Sequence, residues 1–280
     1  MTSTSRRTVL TALAAATVGG PLLTGLGAAP AHAATDLYAS NTDLYTKLAG
    51  REGIDFARRY RRHEQADFSL GATYPYPRTT VVAPHGGGIE TGTSELCLAI
   101  AGYDPAKPEN SPAGGPVHDY WMFEGLRSSG NGDLHVTATH CDDRIALSLA
   151  TGSLNVLSLH GCTASQAGAP VGKPEAVVVG GLNGTFKQYL HDAFRAAGIQ
   201  TIDGSSVPDL AGVQPLNLCN RTLLGKGAQL EITTELRRKM FVDNTRAGRA
   251  TSTTEDFRIF VNAARAAVAR LEAGADQIIL

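Results

Sequence analysis

From residue 79 onward the chain alternates short apolar runs with segments of helical period, and that alternation leaves few folds open to it. "TTVVAP" (79–84) reads as a buried strand. "SELCLAIAG" (94–102) reads as a helix capped by Thr91 or Thr93 and stopped by Gly102. "DYWMFEG" and "LHVTATH" are expected as strands on either side of the loop "SSGNGD". A short helix "RIALSLATG" and the strands "SLNVLSLHG" and "EAVVVGG" follow. "NGTFKQYLHDAFRAAG" is an amphipathic helix with Asn183 as cap and Gly198 as stop. The strand "AQLEIT" leads into the helix "TELRRKMF", and Ser252 with Glu255 forms a capping box for the final helix. The pattern predicts an α/β fold, a three-layer sandwich with a mixed, mostly parallel central sheet. No internal repeat is present.

The first 33 residues stand apart. They carry Arg6 and Arg7, no Asp or Glu, a long apolar run and a terminal Ala31-His32-Ala33. That is the pattern of a cleaved export leader, and "TSRRTVL" marks it as twin-arginine type. Its interruption by Gly19, Gly20 and Pro21 argues against a retained anchor. Residues 34–280 then form a single catalytic α/β domain, with 34–44 and 275–280 expected as flexible ends around a short helix in "NTDLYTKLAG". Losing Arg6 and Arg7 moves the formal charge from −1 to −3, which disfavours nucleic acid as a partner. No later segment is apolar enough to span a bilayer, so a secreted monomer with no membrane partner is expected. Cys97, Cys141, Cys162 and Cys219 are an even set that permits two disulfides outside the cell, and no CxxC pair suggests a structural zinc cluster.

In α/β folds ligands gather at the carboxyl ends of strands. His85 and Glu90 follow the end of "TTVVAP", His140 ends "LHVTATH" and His160 ends "SLNVLSLH". His85, Glu90 and a second, distant histidine make a His2Glu set, which leaves an open position on a hydrolytic zinc ion. The glycines between them, Gly86 to Gly88, permit a sharp turn that returns Glu90 to His85. HGGG also forms the oxyanion loop of serine esterases, but those need a GxSxG elbow, and "GTSEL", "GSSVP" and "GGLNG" all fail that pattern. A general base is still required, and Glu231 is the choice: a carboxylate inside an apolar strand needs a partner, whereas helix polarity alone explains Glu235. His140, beside Asp142 and Asp143, is a candidate substrate contact. Arg221 is a candidate clamp for a substrate carboxylate. His63 and His191 are expected at the surface, and His118 and His135 as structural residues. The run Arg58, Arg59, Arg61 and Arg62 reads either as a solvated face or as a site for an anionic ligand.

Taken together, "PHGGGIETGTSE", "FEG", "LHVTATHCDD", "SLHGC", "CNR" and "QLEIT…LR" resemble the phage-type poly-γ-glutamate hydrolase family over roughly residues 45–270. The resemblance implies a zinc carboxypeptidase-like fold and one Zn2+ held by His85, Glu90 and His160. It also implies Glu231 as the catalytic carboxylate and a polyanionic poly-γ-glutamate or γ-glutamyl peptide as substrate. A zinc deacylase or carboxypeptidase acting on small acyl-amino acids is the alternative enzyme. A non-catalytic secreted zinc- or ligand-binding protein is the alternative outside enzymes.

Overall fold

The computed structural model describes residues 36–63, 79–108 and 115–277. The leader assigned to residues 1–33 lies outside them. Seven strands form one sheet: β1 (Phe56–Arg61), β2 (Thr79–Gly87), β3 (Asp119–Gly125), β4 (Asn155–Cys162), β5 (Val177–Gly180), β6 (Thr201–Asp203) and β7 (Ala228–Thr233). Their order is β1-β3-β2-β4-β7-β5-β6. β1 on β3 and β5 on β7 are antiparallel, and the other pairings are parallel. The mixed, mostly parallel sheet expected from the sequence is present.

Every residue of β2, β3 and β7 is buried, as strands covered on both faces require. Side chains alternate between the two layers. Val81 and Ala83 join Leu96, Phe186, Leu190 and Phe260 under α2 (Thr93–Ile100), α4 (Gly184–Ala196) and α6 (Glu255–Glu272). Val82 joins Leu44, Trp121 and Leu149 under α1 (Asn41–Lys47) and α3 (Arg144–Thr151). Phe194 and Phe260, with ring centroids 4.7 Å apart, pin α4 to α6. The parallel trio β2, β4 and β7 thereby brings His85, His160 and Glu231 to one edge. His160 stands opposite Glu231 in the β4–β7 register.

Several expectations are corrected. "LHVTATH" is not a strand but two 3-10 turns, Asn131–Leu134 and Ala138–His140. Its apolar alternation is real, since Leu134, Val136 and Ala138 are buried, yet polar ties to Asp36 rather than a sheet ladder hold it. "FARRYR" is the antiparallel edge strand β1. The N-cap of α2 is Gly92, at φ 97°, while Thr93 Oγ1 donates to the Glu90 carbonyl instead. Thr254, not Ser252, caps α6. His191 is buried on α4 rather than exposed. All four cysteines are free, buried thiols, so the two disulfides are not formed. From Asp36 the expected flexible lead is tied down, with Thr42 N donating to Asp142 Oδ1 at 2.8 Å. At the other end Gln277 accepts from Asn155. Among the described residues no helix is long and apolar enough to cross a membrane.

Two glycines near the start of α4 test this packing. A Cβ on Gly181, at φ 99°, would sit 2.3 Å from the Gly227 carbonyl oxygen, whereas one on Gly184 meets nothing within 4 Å. Gly181→Ala is expected to cost about 2–4 kcal/mol of unfolding free energy, and Gly184→Ala to be neutral or stabilising by up to about 1 kcal/mol, both read from urea titrations.

Candidate metal and hydrolytic site

β2 runs through Gly87, and the chain then turns on itself so that Glu90 N donates to the His85 carbonyl at 2.8 Å. Close approach dictates the glycines. A Cβ on Gly86 would lie 2.4 Å from Ser94 Oγ, and one on Gly88 would lie 2.5 Å from Asn131 Nδ2. Gly87 has φ 64°, and its Cβ would meet the Gly125 carbonyl oxygen at 2.5 Å. Buried Arg249 secures the turn, donating to the Gly87 carbonyl at 3.0 Å and pairing with Glu95 at 3.1 Å.

The turn carries the Glu90 carboxylate back to His85, with Oε1 3.0 Å from His85 Nδ1. From β4, His160 Nδ1 comes within 3.1 Å of the same His85 nitrogen and 3.7 Å of Glu90 Oε2. The far side of each ring is committed: His85 Nε2 donates to the Val136 carbonyl at 2.8 Å, and His160 Nε2 lies 3.0 Å from Ser158 Oγ. The Val136 carbonyl only accepts and so places the His85 ring proton on Nε2, and the Ser158 hydroxyl is able to accept likewise from His160. With both protons there, the two Nδ1 lone pairs face one point. Two such lone pairs repel unless a proton or a cation sits between them. Gly161 N donates to Glu90 Oε2 at 2.8 Å and fixes the third donor.

Two imidazole–carboxylate sets compete as ligands, because His85, Glu90 and His135 also offer atoms within 4.8 Å of one another. Ring geometry separates them. Two imidazoles on one tetrahedral zinc, with Zn–N near 2.1 Å, place their centroids about 5 Å apart. His85 and His160 are 4.8 Å apart and edge-on, whereas His135 lies over His85 at 3.9 Å. The donor set His85, Glu90 and His160 fits zinc, and His135 stands beside it.

The electrostatics are those of a dry, coupled cluster. Burial opposes charge on His85, but the Glu90 carboxylate outweighs it and leaves that imidazole raised above its ordinary value. Burial, then the charge of His85, depresses His160 to about 3. Glu90 is held down at about 2, because the neighbouring imidazoles overcome its burial. Glu231 moves the other way: burial, then the charge of Glu90, pushes it well above the ordinary carboxylate range. Gln229 Nε2 donates to Glu231 Oε1 at 2.9 Å.

Sequence reasoning passed over two residues. Arg237 lies under Gly161, buried, and its charge acts on both Glu90 and Glu231. It donates to the carbonyls of Ile232 and Thr91 at 3.0 and 2.7 Å, and so ties the Glu90 loop to β7. Its signal in the sequence is a place six residues beyond Glu231, across a strand-to-helix turn. His135, expected as structural, faces the site with its side chain 36% exposed and Nδ1 2.8 Å from Asp36 Oδ1. Nothing local announces that pairing, since the partners are 99 residues apart. His140 is exposed, 3.6 Å from the same aspartate. Arg221 makes no hydrogen bond or ion pair with this group among the described residues; its charge acts instead on Cys141, next to His140.

The poly-gamma-glutamate hydrolase family model matches residues 58–263. The chain is 32% identical over 202 residues to the SPbeta prophage-derived UPF0714 protein YoqZ of Bacillus subtilis strain 168, covering 72% of this chain and 66% of that protein. It is 31% identical over 180 residues to UPF0714 protein YndL of the same strain, covering 64% of this chain and 63% of that protein. Among solved structures, a bacteriophage poly-gamma-glutamate hydrolase superposes with TM-score 0.67 at 27% identity, over 85% of this chain and 98% of its own. Zinc-free (apo) YndL superposes with TM-score 0.66 at 26% identity, over 85% and 99%.

Arg237→Ala would strand the Glu90 and Thr91 side of the site without its cation. A loss of about 3–5 kcal/mol in unfolding free energy is expected from denaturant titration. Arg237→Lys is expected to recover only part of it, because an ammonium cannot reproduce the fork of donors.

Proposed function

This chain belongs to the poly-γ-glutamate hydrolase family, and from that premise we propose that it is a zinc-dependent enzyme cleaving the γ-glutamyl amide bonds of poly-γ-glutamate. The observation that carries the zinc reading is the convergence of His85 Nδ1, His160 Nδ1 and the Glu90 carboxylate, with both distal ring nitrogens already engaged. Zinc held there supplies a Lewis acid that polarises the scissile carbonyl and makes a water acidic near neutrality.

Glu231 is assigned the proton transfers. Parallel pairing puts it opposite His160, one strand spacing or about 4.8 Å away. It takes a proton from the attacking water and returns one to the departing amine. Its raised pKa suits the second task, because a carboxyl that releases its proton less readily is still able to donate near neutrality. Arg237 restrains that rise and keeps the base available.

His140, exposed beside Asp36, is assigned a contact with the substrate chain. Arg221 would clamp a carboxylate on a remote part of a long polymer. Of the arginines in the 58–62 run, Arg58 is paired with Glu52 and Asp143, and Arg59 lies 3.5 Å from Glu124. Arg61 lies over the Tyr103 ring and Arg62 donates to Ser148 Oγ, so the charge this edge would offer a polyanion is that of Arg61 and Arg62. Residues 1–33 are assigned to a twin-arginine leader, which would export the mature chain; a monomer is the assembly assigned to it.

Purified wild type is expected to hold one zinc per chain by elemental analysis, and His160→Ala to lose it; a metal-free active wild type sinks the assignment. Glu231→Gln should retain the metal while kcat falls by roughly 10²–10⁴-fold. The acid limb of the kcat/KM profile should lie above the usual glutamate range. Activity falls as pH drops through that limb, because the base becomes protonated, and Glu231→Gln should abolish the limb.

A further inference from the structure

We infer that His135, oriented by Asp36, is a further catalytic residue that accepts the N–H of the scissile amide at the mouth of the site; this rests on the hydrolase reading above. Asp36 fixes the tautomer. Its Oδ1 lies 2.8 Å from His135 Nδ1, and its Oδ2 accepts from Thr137 N at 2.7 Å. A carboxylate already accepting a backbone N–H takes the imidazole proton on Nδ1, so the lone pair is left on Nε2. The ring lies over His85 with centroids 3.9 Å apart, and an atom of His135 is within 4.8 Å of donor atoms of both His85 and Glu90. Its side chain is 36% exposed, against 3% for His85 and 4% for His160. Of the three imidazoles that converge here, His135 is therefore the most open to a substrate.

An amide brings two groups to be satisfied. Its carbonyl turns toward the donor cluster, and its N–H needs an acceptor. The other candidates are engaged: His85 Nε2 donates to Val136, His160 Nε2 faces Ser158, Glu90 Oε2 accepts from Gly161 N, and Glu231 is buried against Gln229. His135 Nε2 is the acceptor left on the open side. Burying an amide N–H without a partner is costly, so this contact favours amides over isosteric esters, which have no N–H to satisfy. Asp36 is a positioning residue. It reaches the site from the segment just before α1, and thereby couples the start of the folded domain to substrate choice.

The test compares a γ-glutamyl amide with the matching γ-glutamyl ester. Wild type is expected to cleave both. His135→Ala should lose roughly 10–100-fold in kcat/KM on the amide and less than about 3-fold on the ester, with metal content unchanged. Asp36→Asn should show the same selectivity with a smaller loss. Independently of turnover, long-range ¹H–¹⁵N spectra should report His135 as the Nδ1–H tautomer in wild type and a changed tautomer ratio in Asp36→Asn. Equal losses on amide and ester, no loss at all, or an Nε2–H tautomer in wild type would each overturn the role of His135 while leaving the hydrolase reading intact. A wild type holding zinc but inactive on both substrates would instead overturn that reading, and this inference with it.

Discussion

The facing of two imidazole nitrogens across 3.1 Å, closed by one carboxylate, is the constraint to which the rest of the site answers. His85 and His160 are buried, and buried polar groups that lack partners are strongly unfavourable. Each outward-facing nitrogen is accordingly met by a carbonyl or a hydroxyl, and the carboxylate by a backbone N–H. Arg237 then holds the Glu90 loop against β7, and Arg249 holds the Gly87 carbonyl from the other side. These contacts hold the three donors in place by themselves, the preorganisation that the proposed metal site requires.

The glycine run between His85 and Glu90 gains a fuller account from the packing. Conformational freedom explains Gly87 alone, which sits in the left-handed region; Gly86 and Gly88 are small because Ser94 and Asn131 press against them. The same economy of space appears at Gly161, where a side chain would strike the Arg237 guanidinium. Each removed side chain lets a polar group approach the backbone next to a proposed ligand.

Much of the fold was legible because buried parallel strands are continuous apolar runs and the helices between them carry ordinary stop signals. Asn183 does cap α4, and Gly198 at φ 75° does end it. "LHVTATH" misled for a physical reason: period-two burial marks a segment with one buried face, and a pair of 3-10 turns anchored by an aspartate satisfies that as well as a strand does. The caps of α2 and α6 were misplaced by one or two residues: Ser252 and Thr254 offer similar hydroxyls and backbone geometry selects between them, while α2 starts at Gly92 in a left-handed conformation with no side-chain cap at all. The expected disulfides are not formed: Cys97 and Cys162 are buried in separate apolar clusters, and Cys141 and Cys219 are free thiols within a third.

Sequence by itself determined the α/β class and most of the strand and helix succession, and it nominated carriers of chemistry at strand ends, since periodicity and glycine spacing are local properties. It singled out His85, Glu90, His160 and Glu231 without any knowledge of distance. Only the tertiary structure decided that His135 stands over His85, that Asp36 from 99 residues away bonds its Nδ1, and that Arg237 donates to the carbonyls next to Glu90 and Glu231. Those pairings depend on sheet order and loop closure. A chain specifies them through the summed packing of the whole domain, and no spacing along the sequence records them.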